Sequence, residues 1–517
     1  MIKKLLFFLC LPLAGMTQTQ IGQDITGDAI GDKFGWGVAL SSDGNVMAAS
    51  AIKNDNNGTD SGHVRVYSKS SGTWVQVGQD IEGANPDDQI GYKIALSDDG
   101  SVLALSATYA KYVLNNTTYS GYVSIYKNIN GVWTKIGQDI KANPATSTSK
   151  NLMGLSISLS SDGSTIAIGS PDYSDYLNGV EIYRNISGKW TLIGNFGSFV
   201  INDPNSGAET LGWSVSLSGD GNTIAFSSLE SHTFGVYGSV KILKYASGNW
   251  TQTDLLLSSQ DDLYGFRVVI SKDGNTLAIS APNSDKNGPM SGRTGVYKNN
   301  GGKWAQVGQD ILGTTGSRSG MGLSMSANGN VLAIGSPNAD TANGTNTGKV
   351  LIFENMQGNW IEKGALLGAN QDDGIGWSIA LSKDGYNLGI GNYGSSNVSG
   401  KSSVNILDAQ ISNNSSDFQA KGAIPGSVQV YNLSGILSSD KFVMKNFSIY
   451  PNPATDILNI ELENSLTLNK VLIYSTNGQL IKESSDKIID VSGLAKGMYN
   501  VQVITDQGKA TKKLIIN

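Results

Sequence analysis

The stretch Gly35-Trp36-Gly37-Val38-Ala39-Leu40-Ser41-Ser42-Asp43-Gly44 decides the fold, because its pattern occurs seven times along the chain. Each copy has two glycines nine residues apart, with large apolar residues at the first, third and fifth positions between them. The copies are bounded by Gly35/Gly44, Gly91/Gly100, Gly154/Gly163, Gly212/Gly221, Gly265/Gly274, Gly320/Gly329 and Gly376/Gly385. The second glycine recurs every 53 to 63 residues. A period of this length is typical of repeat architectures.

Within one copy, the alternation of large and small side chains predicts a β-strand. An Asp-Gly pair follows, or Asn328-Gly329 in the sixth copy, and predicts a tight hairpin. Second and third strands come next, and a Gly-x-Trp sequence such as Gly72-Thr73-Trp74 opens a fourth, which we assign to residues 74–81. Seven units of four antiparallel strands predict an all-β fold, a seven-bladed β-propeller. A parallel β-helix is the alternative, although its coils are shorter than this period.

The sequence also predicts how the ring closes. Only six complete tryptophan strands follow the seven glycine pairs, but Gln20-Ile-Gly-Gln-Asp-Ile25 matches the end of the strand at 77–81. We therefore expect the N-terminal segment to supply the outer strand of the last blade, which would leave no exposed edge there. The third strand of that blade is either Ser403–Leu407 or Gly426–Tyr431. We favour the latter, which makes residues 394–425 an inserted loop.

Length and composition limit the possible partners and the domain organisation. The chain has 517 residues and a net charge of −6, without a basic stripe, so nucleic acid is not expected as a partner. Residues 1–17 have the plan of a signal peptide, with Lys3 and Lys4 before an apolar run that is too short to span a bilayer. No later segment predicts a transmembrane helix. The expected organisation is a signal peptide (1–17), a propeller (18–437), a linker (438–446) and a C-terminal domain (447–517).

The C-terminal segment predicts a small Ig-like β-sandwich, with a hairpin that turns at Asn477-Gly478. Its phrases Phe447-Ser-Ile-Tyr-Pro-Asn-Pro453, Leu494–Val503 and Lys512–Ile516 resemble the type A sorting domain of the type IX secretion system of Bacteroidetes. The resemblance implies that the type IX machinery is a partner and exports the protein to the outer cell surface or the medium. The residues that carry the motif are Tyr450, Pro451, Asn452, Pro453, Gly497, Tyr499, Lys512 and Lys513. A ligand-binding Ig-like module is the alternative.

The repeats resemble FG-GAP repeats of the integrin α-subunit kind, chiefly through residues 265–282 and the dipeptide Phe34-Gly35. The calcium loop of those repeats, Asp-x-Asp-x-Asp-Gly, is absent, so calcium binding cannot be transferred from the family. Acidic and Asn-rich loops between second and third strands offer oxygen ligands that Ca²⁺ accepts, and leave Ca²⁺ open as a cofactor. These loops are Asn54–Asp60, Asp172–Asp175, Asp285–Asn287 and Asp340–Asn346. No other cofactor is expected.

We expect no catalysis. The two histidines, His63 and His232, lie three repeats apart, and residues 389–394 match a dinucleotide fingerprint without the helix that it needs. Carboxylate pairs at Asp87-Asp88, Asp261-Asp262 and Asp372-Asp373 could serve glycoside hydrolysis. They recur in three repeats rather than in one pocket, which favours a role as turn caps.

Large side chains follow the first glycine of each copy and should surround the mouth of the central channel. They are Trp36, Tyr92, Leu155, Trp213, Phe266, Met321 and Trp377. The aromatic members Trp36, Tyr92, Trp213, Phe266 and Trp377 could form a stacking platform for a ligand, although packing between blades is the favoured interpretation. The functional hypothesis is a secreted or cell-surface module for adhesion or binding, with an extracellular glycan or protein as its ligand. A structural component of the cell surface and a glycan-degrading enzyme are the alternatives.

Overall fold

A computed structural model describes residues 18–114, 117–141, 152–171, 179–197, 209–232, 235–356, 358–393, 425–437, 446–463, 466–475, 479–505 and 508–517. The predicted signal peptide lies outside the described residues, as do positions 394–424 of the inserted loop and 438–445 of the linker. The chain divides into two compact units, residues 20–431 and residues 432–517, and the described residues before position 20 are grouped with the second.

Seven antiparallel sheets are formed by the described residues from Thr19 to Asn432, numbered here as sheets 1 to 7. Sheet 1 contains Phe34–Leu40, Val46–Ala51, His63–Ser70, Thr73–Gln76 and Ile81–Glu82; sheet 2 contains Ile94–Leu96, Val102–Leu114, Thr117–Ile129, Val132–Lys135 and Ile140–Lys141. Sheet 3 contains Ser156–Leu159, Thr165–Gly169, Gly179–Ile186 and Lys189–Gly197; sheet 4 contains Glu209–Leu217, Thr223–His232, Gly235–Ala246 and Asn249–Asp261. Sheet 5 contains Arg267–Ile270, Thr276–Ala281, Arg293–Asn300, Lys303–Gln306 and Ile311–Leu312.

Sheet 6 contains Gly322–Met325, Val331–Ser336, Lys349–Met356 and Asn359–Leu367; sheet 7 contains Ser378–Leu381, Asn387–Asn392, Ser427–Asn432, Thr19–Gln20 and Ile25–Thr26. The all-β prediction is confirmed, and the antiparallel four-stranded units are those of propeller blades rather than of a parallel β-helix. The third strand of sheet 7 is the later of the two candidate segments. It pairs with the N-terminal segment, since Ile25 lies opposite Val428 and the Ile21 amide donates to the Val430 carbonyl at 2.7 Å.

The predicted fourth strand is interrupted in sheets 1, 2 and 5. In sheet 1, the regular strand ends at Gln76 and the next begins at Ile81. The Val77 amide still donates to the Val66 carbonyl at 2.8 Å, but Gly78 has a φ of 77° that an extended strand cannot accommodate. A Cβ on Gly78 would lie 2.7 Å from the Gly131 carbonyl oxygen of the next sheet. The single strand 74–81 is therefore wrong, and the break brings the outer edge of one sheet against its neighbour.

The inner hairpin turns are linked by backbone hydrogen bonds. Each has the sequence Ser-x-Asp-Gly, with Asn in place of Asp in sheet 6. In six of the turns, the backbone amide of residue x donates to the carbonyl of residue x in the next sheet. Six bonds run from Ser42 to Asp98, Asp98 to Ser161, Ser161 to Gly219, Gly219 to Lys272, Lys272 to Ala327 and Ala327 to Lys383, at 2.7 to 2.9 Å. A seventh returns from the Asp384 amide to the Ser42 carbonyl at 3.1 Å. The turns thus form a cyclic chain of bonds.

The serine of each turn was not assigned a role in the sequence analysis. In sheet 1, Ser41 Oγ donates to Asp43 Oδ1 at 2.7 Å and accepts from the Val46 amide at 2.9 Å. The same two bonds occur in the other six turns. A serine two residues before the Asp of Asp-Gly in six copies, and before Asn328 in the sixth, was the available signal, since these two side chains close the turn.

The C-terminal unit is a β-sandwich. One sheet contains Phe447–Tyr450, Ile457–Leu462 and Ile488–Asp490, and the other contains Leu480–Ser484, Leu468–Ser475, Gly497–Thr505 and Gly508–Ile516. Its core is built from alternate residues of both sheets, among them Leu458, Val471 and Leu514, all fully buried.

Candidate functional site

The side chains that follow the first glycine of each copy meet in one apolar cluster, named here the mouth cluster. It contains Trp36, Tyr92, Leu155, Trp213, Phe266, Met321 and Trp377 together with neighbouring residues. The Trp36 ring lies 5.6 Å from that of Tyr92 and 6.1 Å from that of Trp377, centroid to centroid. The five aromatic members are at most 8% exposed. Burial of this depth favours packing between the sheets over a stacking platform, because no ring face is open to a ligand.

Two cations lie directly beneath the mouth cluster. The position after each cluster residue is glycine or serine in five sheets, but Lys93 in sheet 2 and Arg267 in sheet 5. The Arg267 guanidinium lies 4.9 Å from the Phe266 ring and 5.6 Å from the Trp377 ring of sheet 7, and its Nε donates to the Met321 carbonyl of sheet 6 at 3.0 Å. Lys93 Nζ lies 5.5 Å from the Tyr92 ring. Both side chains therefore occupy the space between inner strands.

The surroundings of Lys93 and Arg267 disfavour the charged form of both side chains. Burial, together with the neighbouring Arg267 charge, lowers the pKa of Lys93 well below its usual value. Burial also lowers the pKa of Arg267 to about 10. No carboxylate of the described residues offsets either cation: the one charge acting on Lys93 is Arg267, and Tyr92 is the one titratable group acting on Arg267.

The opposite end of the same space is bounded by the ring of turns. Lys272 Nζ of sheet 5 pairs with the Asp98 carboxylate of sheet 2. Burial lowers the pKa of Lys383 in sheet 7. The Asp98 charge opposes this shift, and the Lys272 charge adds to it. At four of the other turns the corresponding residue is small: Ser42, Ser161, Gly219 and Ala327.

Three loops between second and third strands share one form, and are named here the rim loops: 52–62 in sheet 1, 282–292 in sheet 5 and 337–348 in sheet 6. In each, an aspartate caps the loop from within, as where Asp55 Oδ1 accepts from the Asp60 amide at 2.8 Å. In each, an asparagine donates to a glycine carbonyl beyond the outer strand: Asn57 to Gly83, Asn287 to Gly313 and Asn343 to Gly368, at 2.7 to 2.8 Å. Exposed polar side chains cover their tips.

Backbone bonds also fix each rim loop to the segment that leads into the next sheet. In sheet 1, the Asp87, Gln89 and Ile90 amides donate to carbonyls of Thr59, Asp60 and Ser61, at 2.8 to 3.1 Å. Equivalent bonds join 316–319 to 289–291 and 372–375 to 345–347. The rim loops are therefore held rigidly at the mouth end, where these segments enter the inner strands. The predicted loop at 172–175 lies outside the described residues.

The carboxylate pairs lie beside the rim loops and make structural bonds. Asp88 Oδ2 accepts from the Ala84 and Asn85 amides, both at 3.0 Å, and Asp373 Oδ2 accepts from the Asn370 amide at 2.7 Å. Asp262 is buried and pairs with Arg293 at 2.8 Å. The side chain of Asp261 lies outside the description. Capping of turns accounts for Asp88 and Asp373, and an ion pair accounts for Asp262.

The histidines are not brought into a recognisable catalytic arrangement in the described part of the chain. His63 is fully buried, neither ring nitrogen has a hydrogen-bond partner, and its ring lies 6.5 Å from that of Phe34. Burial, followed by the Arg65 charge, lowers its pKa to about 4. The His232 side chain and Gly394 lie outside the described residues. No group of three or more His, Cys, Asp or Glu among the described residues could hold a metal ion, and Ca²⁺ at the rim loops stays a prediction.

Three of the sorting-motif residues, Asn452, Lys512 and Lys513, tie the opening segment of the C-terminal unit to its last strand. Asn452 Nδ2 donates to the Lys513 carbonyl at 2.8 Å, and Asn452 Oδ1 accepts from the Ile515 amide at 2.9 Å. Lys512 donates to the Phe447 carbonyl and lies 4.5 Å from the Phe447 ring. Tyr499 donates its hydroxyl to the Ala495 carbonyl at 2.8 Å. Tyr450, Pro451, Pro453, Gly497 and the Lys513 side chain are exposed.

Comparison with known families decides the identity of two parts of the chain. Residues 448–517 match the secretion system C-terminal sorting domain, and residues 27–67 match the FG-GAP repeat. The chain carries an FG-GAP repeat and a type IX secretion sorting domain. The sorting domain indicates secretion across the outer membrane, to the cell surface or the medium. Of the residues that the structure describes, none belongs to a helix that could cross a bilayer.

No curated protein matches this secreted FG-GAP chain in sequence. Among solved structures it is similar to the Pseudomonas aeruginosa periplasmic gluconolactonase PpgL, at 15% identity over 65% of this chain and 85% of that one, with a TM-score of 0.41. It is also similar to a putative 6-phosphogluconolactonase from Bacteroides uniformis (13%, 66% and 88%, 0.43) and to the Dos1 propeller (16%, 77% and 78%, 0.40).

Proposed function

We propose that this secreted FG-GAP protein is a closed seven-bladed propeller that binds an extracellular glycan or protein through its rim loops, and that it is not an enzyme. Closure is supported by the cyclic bonds between the inner turns and by the N-terminal segment paired in sheet 7. A ring without free sheet edges presents its loops on a rigid base.

The three rim loops carry the binding proposal. Their backbones are clamped at both ends, and the tips expose Asp55, Asn56, Asn287 and similar polar groups. Loops that are ordered before binding lose little conformational entropy when a ligand docks, which favours affinity for polar surfaces such as sugars or protein backbones. The carboxylate pairs beside them are engaged in turn caps and an ion pair, which supports binding rather than hydrolysis.

The test is binding of the mature protein to panels of glycans and matrix proteins, compared with a rim variant, Asn56→Lys/Pro289→Lys/Ala342→Lys. These side chains are exposed, and the bonds that clamp the loops do not use them. The control variant, Val75→Lys/Val132→Lys/Ile361→Lys, adds the same charge on exposed outer strands. Loss of a measured interaction in the rim variant alone supports the proposal. No binding across broad panels, or equal loss in both variants, would contradict it; glycan cleavage by the purified protein would contradict the absence of catalysis.

A further inference from the structure

The cations between the inner strands are not explained by rim binding. Lys93 directly precedes the inner strand of sheet 2 and Arg267 begins that of sheet 5, and the Arg267 charge is close enough to disfavour the charge of Lys93. Both side chains are half-buried, and a charge that is largely removed from water without a counter-ion is unfavourable, so proteins usually pair it or neutralise it. Here the neighbouring groups are aromatic faces and one backbone carbonyl.

The excess of positive over negative charge continues along the inner strands as far as the turns. The strand position after the mouth cluster and the second turn position together carry Lys93, Arg267, Lys272 and Lys383, against one carboxylate, Asp98. The chain as a whole has a net charge of −6. A concentration of positive charge inside an acidic protein, bounded by low-dielectric walls, attracts small anions.

We propose that Lys93 and Arg267 form a binding site for a small oxyanion, such as sulfate or a carboxylate group, in the space between the mouth cluster and the ring of inner turns. The Arg267 guanidinium supplies planar donors that match two oxygens of the anion, and Lys93 supplies a second charge. The mouth cluster closes one end with apolar side chains. Four of the seven turns at the other end carry small side chains, and the proposal places the path of approach there.

The geometry also favours an ordered anion over a diffuse ionic atmosphere. Arg267 is fixed between the Phe266 and Trp377 rings and by its bond to the Met321 carbonyl. Its remaining N–H groups have no partner among the described residues and are available to a ligand. An anion at this place would sit beside the Trp377 and Trp36 rings, and its binding should change tryptophan fluorescence.

The experiment titrates the full mature protein with sodium sulfate and with sodium acetate, at constant ionic strength, by calorimetry and by thermal unfolding. Sulfate raises the stability of most proteins gradually by exclusion from their surface, so the diagnostic signal is a saturable rise in Tm. The wild type should show it. Arg267→Met and Lys93→Met should lose it, whereas Lys298→Met and Lys127→Met, exposed lysines of sheets 5 and 2, should keep it.

The Met variants remove an unneutralised charge, so we expect them to fold. If either does not, calorimetry of the wild type still decides the question. Heat of binding that saturates, and that weakens as pH rises and Lys93 loses its proton, supports the site. Identical sulfate and acetate responses in all five proteins, or no saturable heat in the wild type up to about 50 mM of either anion, would overturn it. Response to sulfate but not acetate identifies an inorganic anion, and the reverse identifies a carboxylate ligand.

Discussion

Gln23 forms two hydrogen bonds with the backbone of Trp74: its Nε2 donates to the Trp74 carbonyl at 3.0 Å, and its Oε1 accepts from the Trp74 amide at 3.3 Å. The Trp74 indole donates in turn to the Ile21 carbonyl at 3.0 Å. Gln79 with Trp133 and Gln138 with Trp190 repeat this arrangement between later sheets. The N-terminal segment thus contacts sheet 1 as the Gly-Gln-Asp segments at 78–80 and 137–139 contact their neighbours, whereas Gln309 keeps only the bond to the Trp360 carbonyl, at 3.4 Å.

Replacing Gln23 with Ala should lower the free energy of unfolding by about 1 kcal/mol, because two bonds to the backbone of a buried tryptophan are lost at a partly exposed site. Chemical denaturation in urea measures this as a shift of the midpoint. Gln20→Ala is the control, since its amide bonds only Gly22 and Asp24 of its own segment. Equal effects of the two substitutions would show that the link to Trp74 contributes nothing.

Gly22 should be intolerant of a side chain for two separable reasons. Its φ is 71°, and a Cβ would lie 2.9 Å from the Gly72 carbonyl oxygen and 3.0 Å from Trp74 Cδ1. Gly31 also has a positive φ, 102°, but a Cβ there would meet no atom within 4 Å. Gly31→Ala should therefore cost about 1 kcal/mol from backbone strain, and Gly22→Ala more. Equal losses of Tm would refute a close approach at Gly22.

The inner turns should make the protein sensitive to acid. Burial alone raises the pKa of Asp43, but hydrogen bonds from Ser41 and Asn45 outweigh it and the pKa is lowered; Asp99, Asp162, Asp220 and Asp273 behave alike. A lowered folded pKa gives stability that is present above the unfolded value of about 3.9 and is lost as pH falls through the folded pKa.

Substituting Asn for Asp43, Asp162 and Asp273 should flatten this acid dependence. Asparagine keeps the acceptor oxygen, as Asn328 shows by accepting from Ser326 Oγ at 2.9 Å. We expect little loss of stability at pH 7 and a shallower fall of Tm below pH 4 than in the wild type. An unchanged slope below pH 4 would assign acid unfolding to other carboxylates.

His63 should contribute a separate loss of stability on acidification, in a pH range above that of the aspartates. Its folded pKa of about 4 lies below the unfolded value of about 6.5, so between these values the unfolded chain binds a proton that the folded protein excludes. Stability should fall by about 2–3 kcal/mol as pH decreases across this window. His63→Leu should remove the fall and be neutral or stabilising at pH 7, because both ring nitrogens lack partners. Parallel pH profiles of the two proteins would contradict this.

In the sorting domain, Asn452 and Lys513 should separate folding from recognition. Asn452→Ala removes two bonds to the last strand and should destabilise the domain by about 1 kcal/mol. The Lys513 side chain is exposed, so Lys513→Ala should leave unfolding unchanged and should reduce export, because it removes a charge that is displayed to the secretion machinery. Export is measured as the surface and medium fraction of the protein in the native host. Normal export of Lys513→Ala would exclude its side chain from recognition.

Local sequence patterns predicted much of this structure. The Asp-Gly hairpins, the four-stranded units and the match between 20–25 and 77–81 rest on contacts within a few residues or on repetition of one unit, which a sequence displays directly. The break at Gly78 was missed, because the strand pattern of alternating side chains continues across it and only the approach of Gly131 requires the glycine. The hydrogen bonds of Gln23 and of the turn serines could have been predicted, because both residue types recur at the same positions of the repeats.

The sequence by itself determined the type and number of repeats and the address carried by the sorting domain, since both are written in short contiguous motifs. Only the tertiary structure decided that Lys93 and Arg267 share one space, that His63 is buried without partners, and that the mouth aromatics face each other rather than solvent. Residues 174 positions apart in sequence, such as Lys272 and Asp98, meet because seven sheets bring their inner strands together. No local pattern encodes which side chains then face one another, because that depends on the registers of sheets that pair only after the chain has folded.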